Sequence, residues 1–176
     1  VQIGWVIGSF SDNARVVKHK SLTVRPDGFQ IADKSVEVHH TTHGFASRHG
    51  TTLQDAPSEF MADIVEYHAL GCHLVSHHLE FDAGIIGYEL HREGLDNFSQ
   101  QWQVIAMSGF CTMDPDVGKW LLVCLGKEDV RKEEKSTLSL KAMVGWLVKG
   151  HAEWKSKQRT AEADALLHYY LFNELA

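Results

Sequence analysis

The stretch Leu74 to Leu90, LVSHHLEFDAGIIGYEL, decides how the rest of this chain is read. A short apolar run passes through His77 and His78 to Asp82, and from there the apolar residues take up helical spacing. Ile85, Ile86 and Leu90 fall three, four and eight residues after Asp82, so an apolar stripe lies close to the carboxylate's own face of a helix. The acid therefore stands near a buried seam, at a strand-to-helix junction, where an α/β unit can hold a metal ion above the end of a sheet. The plainer reading is a helix-start acid that satisfies open backbone N–H groups.

At 176 residues and 44% hydrophobic, the chain suits one domain, residues 1–176, around a single core. Its longest unbroken apolar run, Trp120 to Leu125, is far below a membrane span, and the N-terminus lacks a signal peptide's basic start and apolar centre. A soluble, intracellular protein of the cytoplasm or nucleus with no membrane partner is the expectation. Cys72, Cys111 and Cys124 are odd in number and form no CxxC pair, which fits buried thiols in a reduced compartment. The formal charge of −6 is unevenly placed: Lys119 to Arg159 holds ten Lys/Arg against five Asp/Glu, the remainder seven against eighteen. A phosphate backbone could be held on the basic part despite the overall sign, and a solvated helix face reads equally well there.

Ahead of the central stretch, Ile3, Trp5 and Ile7 alternate with Gly4, Val6 and Gly8, which predicts a strand over Ile3–Phe10. A polar turn leads to a second strand, Arg15–Arg25, closed by Pro26-Asp27-Gly28. Four histidines between Val38 and Gly50, with His73, His77 and His78, invite a zinc reading, but no pair has the spacing of a zinc motif. Leu53–Leu70 reads as an amphipathic helix on Phe60, Ile64 and Tyr67. Cys72–His77 reads as a short strand, and the Asp82 helix is expected to stop near Gly94. A loop should then precede the apolar run Trp102–Met107, and Ser136–Val148 reads as a Ser-capped helix.

The string His77-His78-Leu79-Glu80-Phe81-Asp82 resembles the H-N-x-x-F-D motif of the DnaQ-like, or DEDD, 3′–5′ exonucleases, with His78 where that family usually has Asn. Two further segments follow the family's order. His39 to Gly50 is similar to its H-G-I-T-H-E-x-A-x-x-x-G segment, with His39, Thr42, His43, Ala46 and Gly50 in place. Arg159 to Ala165 resembles the third motif, H-x-A-x-x-D-A, with Ala161, Asp164 and Ala165 matching and Arg159 in the histidine slot. Between the last two, Cys111-Thr112-Met113 is similar to the C-T-M wording of eukaryotic-type members.

The resemblance implies an RNase H-like α/β fold, a mixed sheet flanked by helices, and a two-metal site for Mg²⁺ or Mn²⁺ that hydrolyses phosphodiester bonds at single-stranded nucleic-acid 3′ ends. Asp82 and Asp164 would be metal ligands, Arg159 would stand in the general-base slot, and His39, Thr42, His78 and Phe81 would lie against substrate. Arginine accepts no proton near neutral pH, so it cannot be that base, although it can hold a phosphate bidentately. His168 is the only nearby substitute. The family's first strand, which carries a D-x-E pair, has no counterpart. With Val1 rather than Met at the start, that strand is expected upstream; the alternative is a degenerate domain kept for nucleic-acid or protein binding. As it stands the enzyme is expected to be impaired or inactive. DNA and RNA remain equally open as substrates.

Overall fold

The computed structural model describes residues 2–9, 15–124, 161, 163–166 and 169. The fold is mixed α/β. It opens on a hairpin of β1 (Gln2–Ser9) and β2 (Arg15–Thr23), paired antiparallel from Gln2 with Thr23 to Ile7 with Lys18. The register then shifts so that Gly8 faces Val16, which leaves Val17 over as a bulge. Alternation puts Trp5 and Ile7 on one face, both buried, with Gly4, Val6 and Gly8 on the other.

Two short helices follow, α1 (Asp33–His39) and α2 (His43–His49), and then α3 (Asp55–Ala69). Between α2 and α3 the chain passes close under the end of β2. Val24 bridges Thr51 in parallel, with Arg25 N donating to Thr51 O and Thr51 N to Thr23 O, both at 2.8 Å. That closeness dictates Gly50: a Cβ there would lie 2.4 Å from Ala46 O and 2.7 Å from Arg25 N. Helix α3 is fastened at its start by Thr52, whose hydroxyl accepts from Asp55 N at 3.0 Å and donates to Asp55 Oδ2 at 2.6 Å.

The remainder runs β3 (Val75–Ser76), α4 (Leu79–Arg92), α5 (Asp96–Met107), β4 (Phe110–Cys111) and α6 (Pro115–Cys124). Strands β3 and β4 pair in parallel, Val75 with Phe110 and Ser76 with Cys111. Helix α4 stops as expected, with Gly94 at φ 67° and Leu95 N reaching back to Leu90 O at 2.8 Å. Trp5, Ile7, Phe60, Met61, Leu90 and Trp102 form the core. Three of its rings meet edge to face: Trp5 to Phe60 at 5.5 Å and Phe60 to Trp102 at 5.7 Å. Buried Asp63 of α3 ties the hairpin to this core, accepting from Trp5 Nε1 at 3.0 Å and from Lys18 Nζ at 2.5 Å.

Several expectations are corrected. Residues 96–101 belong to α5 rather than a loop; only Phe98, Trp102 and Ile105 mark its buried side, and the polar residues between them hide the period. The expected strand Cys72–His77 shrinks to Val75–Ser76, because β4 offers a ladder only from Leu74 O to Ser76 O. The second strand ends at Thr23 rather than Arg25, and α3 is shorter than Leu53–Leu70. Cys72 and Cys111 are half-buried thiols, not fully buried ones. Where one mixed sheet was expected, the described residues form two separate two-stranded sheets, β1–β2 and β3–β4. The expected helix Ser136–Val148, with Arg159 and His168, lies outside the described residues.

Candidate functional site

Strand β3 ends at Ser76, and two residues later His78 turns the chain in the left-handed region, φ 77° and ψ 49°, to start α4. Histidine is among the residues enriched in that conformation, so His78 suits the turn. The turn is fixed from β4. Thr112, wholly buried, meets His77 Nδ1 through Oγ1 at 2.8 Å, and Cys111 Sγ takes the Leu79 amide at 3.4 Å, one of the first-turn N–H groups of α4. The Cys111-Thr112 pair thus positions the helix that carries Asp82.

Asp82 lies in the first turn of α4 and is exposed, with Ser76 Oγ donating to its Oδ2. One side of the carboxylate is thereby oriented while its other lone pairs stay accessible. Beside it Phe81 is 57% exposed and stacks on the His78 ring at 5.5 Å and 13°.

Asp164 reaches the same region from the far end of the chain. Residues 161, 163–166 and 169 are helical, and Ala161 N donates to Gln2 Oε1 at 3.4 Å. Gln2 Nε2 in turn donates to Thr41 Oγ1 at 3.2 Å, and that hydroxyl donates to His39 O at 3.2 Å. One polar chain therefore joins the C-terminal helical residues, the start of β1 and the turn between α1 and α2. Further along β1, Gly8 makes room for Tyr169: a Cβ at Gly8 would fall 2.1 Å from the ring.

Asp82 and Asp164 line one cavity of about 1760 Å³, together with His39, Phe81, the whole of β1 and both residues of β3. Of the residues singled out in the sequence, Thr42 and His78 are not among those that line it. Thr42 is the N-cap of α2, accepting from Phe45 N at 3.2 Å, and His78 caps α4. Thr41, one residue earlier, is buried and faces the cavity instead. Sequence reasoning gave no role to Gln2 or Ser76, and Ser76 is six residues from its carboxylate partner; Thr112 was noted only as part of the Cys111-Thr112-Met113 wording.

Two carboxylates are hard oxygen donors of the kind Mg²⁺ and Mn²⁺ take. Among the described residues no group of three or more His, Cys, Asp or Glu side chains gathers to hold a metal ion. That falls short of an all-protein cage. In comparisons with protein-family models, curated proteins and solved structures, the chain matches none.

Proposed function

We propose that the chain is a DnaQ-like 3′–5′ exonuclease domain with an RNase H-like arrangement, acting at single-stranded nucleic-acid 3′ ends and impaired in turnover as it stands. One observation carries the reading. Asp82 and Asp164, picked out by separate motifs, line the same cavity although one belongs to the start of α4 and the other to the C-terminal helical residues.

A divalent cation bound there would supply the positive charge that lets a phosphodiester approach two carboxylates. The chain's own residues do the rest. Ser76 orients Asp82, the Gln2–Thr41 chain seats the segment bearing Asp164, and exposed Phe81 offers a ring on which a terminal base can stack, worth about 1–3 kcal/mol. Arg159, in the general-base slot by resemblance, donates but takes no proton, so this reading has it holding phosphate while hydrolysis is slow.

The test follows a labelled single-stranded oligonucleotide by anisotropy and by degradation time course, with Mg²⁺ or Mn²⁺ titrated. Binding should rise with the divalent ion, and Asp82→Asn and Asp164→Asn should each remove that rise. In a protein extended by an upstream strand carrying the D-x-E pair, Arg159→His should speed degradation by about 10²–10⁴-fold, the usual contribution of a general base. Binding and cleavage that ignore the divalent ion would sink the proposal. A second reading, a binding module without hydrolysis, is favoured by the lack of a third ligand among the described residues; it predicts divalent-dependent binding with no cleavage by Arg159→His.

A further inference from the structure

Between β2 and α1 the chain carries the single Asp-Gly step of its sequence, within the turn Pro26-Asp27-Gly28. Residues 25–32 belong to neither helix nor strand, and Asp27 and Gly28 are both exposed. Gly28 holds φ 72°, in the left-handed region that a glycine enters without strain. Both ends of the segment are held. Arg25 N donates to Thr51 O at 2.8 Å and Arg25 Nη2 to Gly50 O at 3.2 Å, while Ala32 O accepts from Ser35 N at 2.9 Å and from Val36 N at 3.1 Å as α1 begins. Between these anchors, Phe29, Gln30 and Ile31 line the same cavity as Asp82. An aspartate inside a regular element is placed differently: Asp55 opens α3, and the amide that follows it, Ala56 N, donates to Thr52 O at 3.0 Å.

We infer that Asp27 is a site of spontaneous backbone isomerisation, and that the product reshapes the cavity wall at residues 29–31. The Gly28 amide nitrogen attacks Cγ of the protonated Asp27 carboxyl. The N–Cγ bond forms, the Cγ–OH bond breaks, and the hydroxyl leaves as water with the amide proton. The product is a cyclic imide. Water then adds back at one of its two carbonyls. Addition at Cγ restores aspartate; addition at the former main-chain carbonyl breaks its bond to the Gly28 nitrogen, so that the main chain runs through Cβ and Cγ and the α-carboxylate is set free. One water leaves and one returns, and nothing else is consumed. Ring closure requires the following amide to swing toward the side chain without obstruction from its own residue. Gly28 carries no side chain and lies in an irregular, exposed segment, whereas the amide after Asp55 is already held. The isomer lengthens the main chain by one carbon, about 1.5 Å. Because Arg25 and Ala32 are held, residues 28–31 have to absorb that length, and three of them form cavity wall.

The test incubates the full 176-residue chain at neutral pH and body temperature beside a free peptide of residues 25–31. Isoaspartate is read by methyl transfer with an isoaspartyl-specific methyltransferase, and by a chromatographic shift of the fragment bearing Asp27 at unchanged mass. A surface segment opens at little free-energy cost, so Asp27 in the folded chain should isomerise within about tenfold of the peptide's rate. Asp55 and Asp63, in α3, should stay unmodified over the same period. Asp27→Glu, whose closure would need a larger ring, should abolish the signal. In the isomerised fraction, amide hydrogen exchange should quicken over residues 29–32 and stay unchanged in α3. A folded-state rate slower than that tenfold limit, or a signal that survives Asp27→Glu, overturns the site. Exchange unchanged over residues 29–32 overturns the reshaping of the wall. No nucleic acid or metal enters either measurement, so failure here leaves the exonuclease proposal to its own test.

Discussion

Asp63→Ala tests the anchor that holds the hairpin against the helices, and its magnitude follows from burial. Asp63 is 7% exposed and Trp5 4%, so water cannot replace the carboxylate that accepts the indole N–H at 3.0 Å. Leaving that donor buried without a partner costs about 1–3 kcal/mol. The Lys18 ammonium, by contrast, returns to water and adds little. For a chain of 176 residues each kcal/mol moves the melting point by about 2–4 °C, so the variant should melt about 2–12 °C lower. Packing losses are separated by a double-mutant cycle with Trp5→Phe, read by urea unfolding. A hydrogen bond to a charged acceptor should appear as a coupling of about 1.5–3 kcal/mol. Coupling below about 0.5 kcal/mol, the scatter of independent sites, would show that Asp63 does not secure β1 and would refute the reasoning.

Lys18 should give the fold a small alkaline sensitivity, because solvent screens its pair with Asp63. Its hydrogen bond to Asp63 raises its pKa above the ordinary 10.5, so the folded state favours the protonated amine; that stability is complete below about pH 10.5 and is lost as pH rises through the raised value. Melting curves from pH 9 to 12 should fall more steeply for the parent than for Lys18→Met, and parallel curves would remove the link. Gly50→Ala places a Cβ against two backbone atoms that cannot turn aside, and should cost about 1–3 kcal/mol in urea unfolding; an unchanged midpoint would mean that the Val24–Thr51 approach is looser than described. Gly8→Ala meets the ring of Tyr169, so Tyr169→Leu should recover part of its loss, whereas simple additivity would dissociate the C-terminal helical residues from β1.

The hairpin was legible because alternation over Ile3, Trp5 and Ile7 is strict, and the Asp82 helix because its apolar residues keep one period up to the stop at Gly94. The first half of helix α5 was not, since Asp96 to Gln101 hold a single apolar residue, Phe98, which shows no period. The length of β3 could not be read locally either: a parallel ladder exists only where β4 arrives, about 35 residues later. Within the site, His39, Phe81, Asp82 and Asp164, named from motifs, line the cavity, whereas Thr42 caps α2 and Thr41 beside it lines the cavity. Two adjacent threonines look alike in sequence; one caps a helix and the other joins a hydrogen-bonded chain through Gln2, a choice made by residues 39 positions apart.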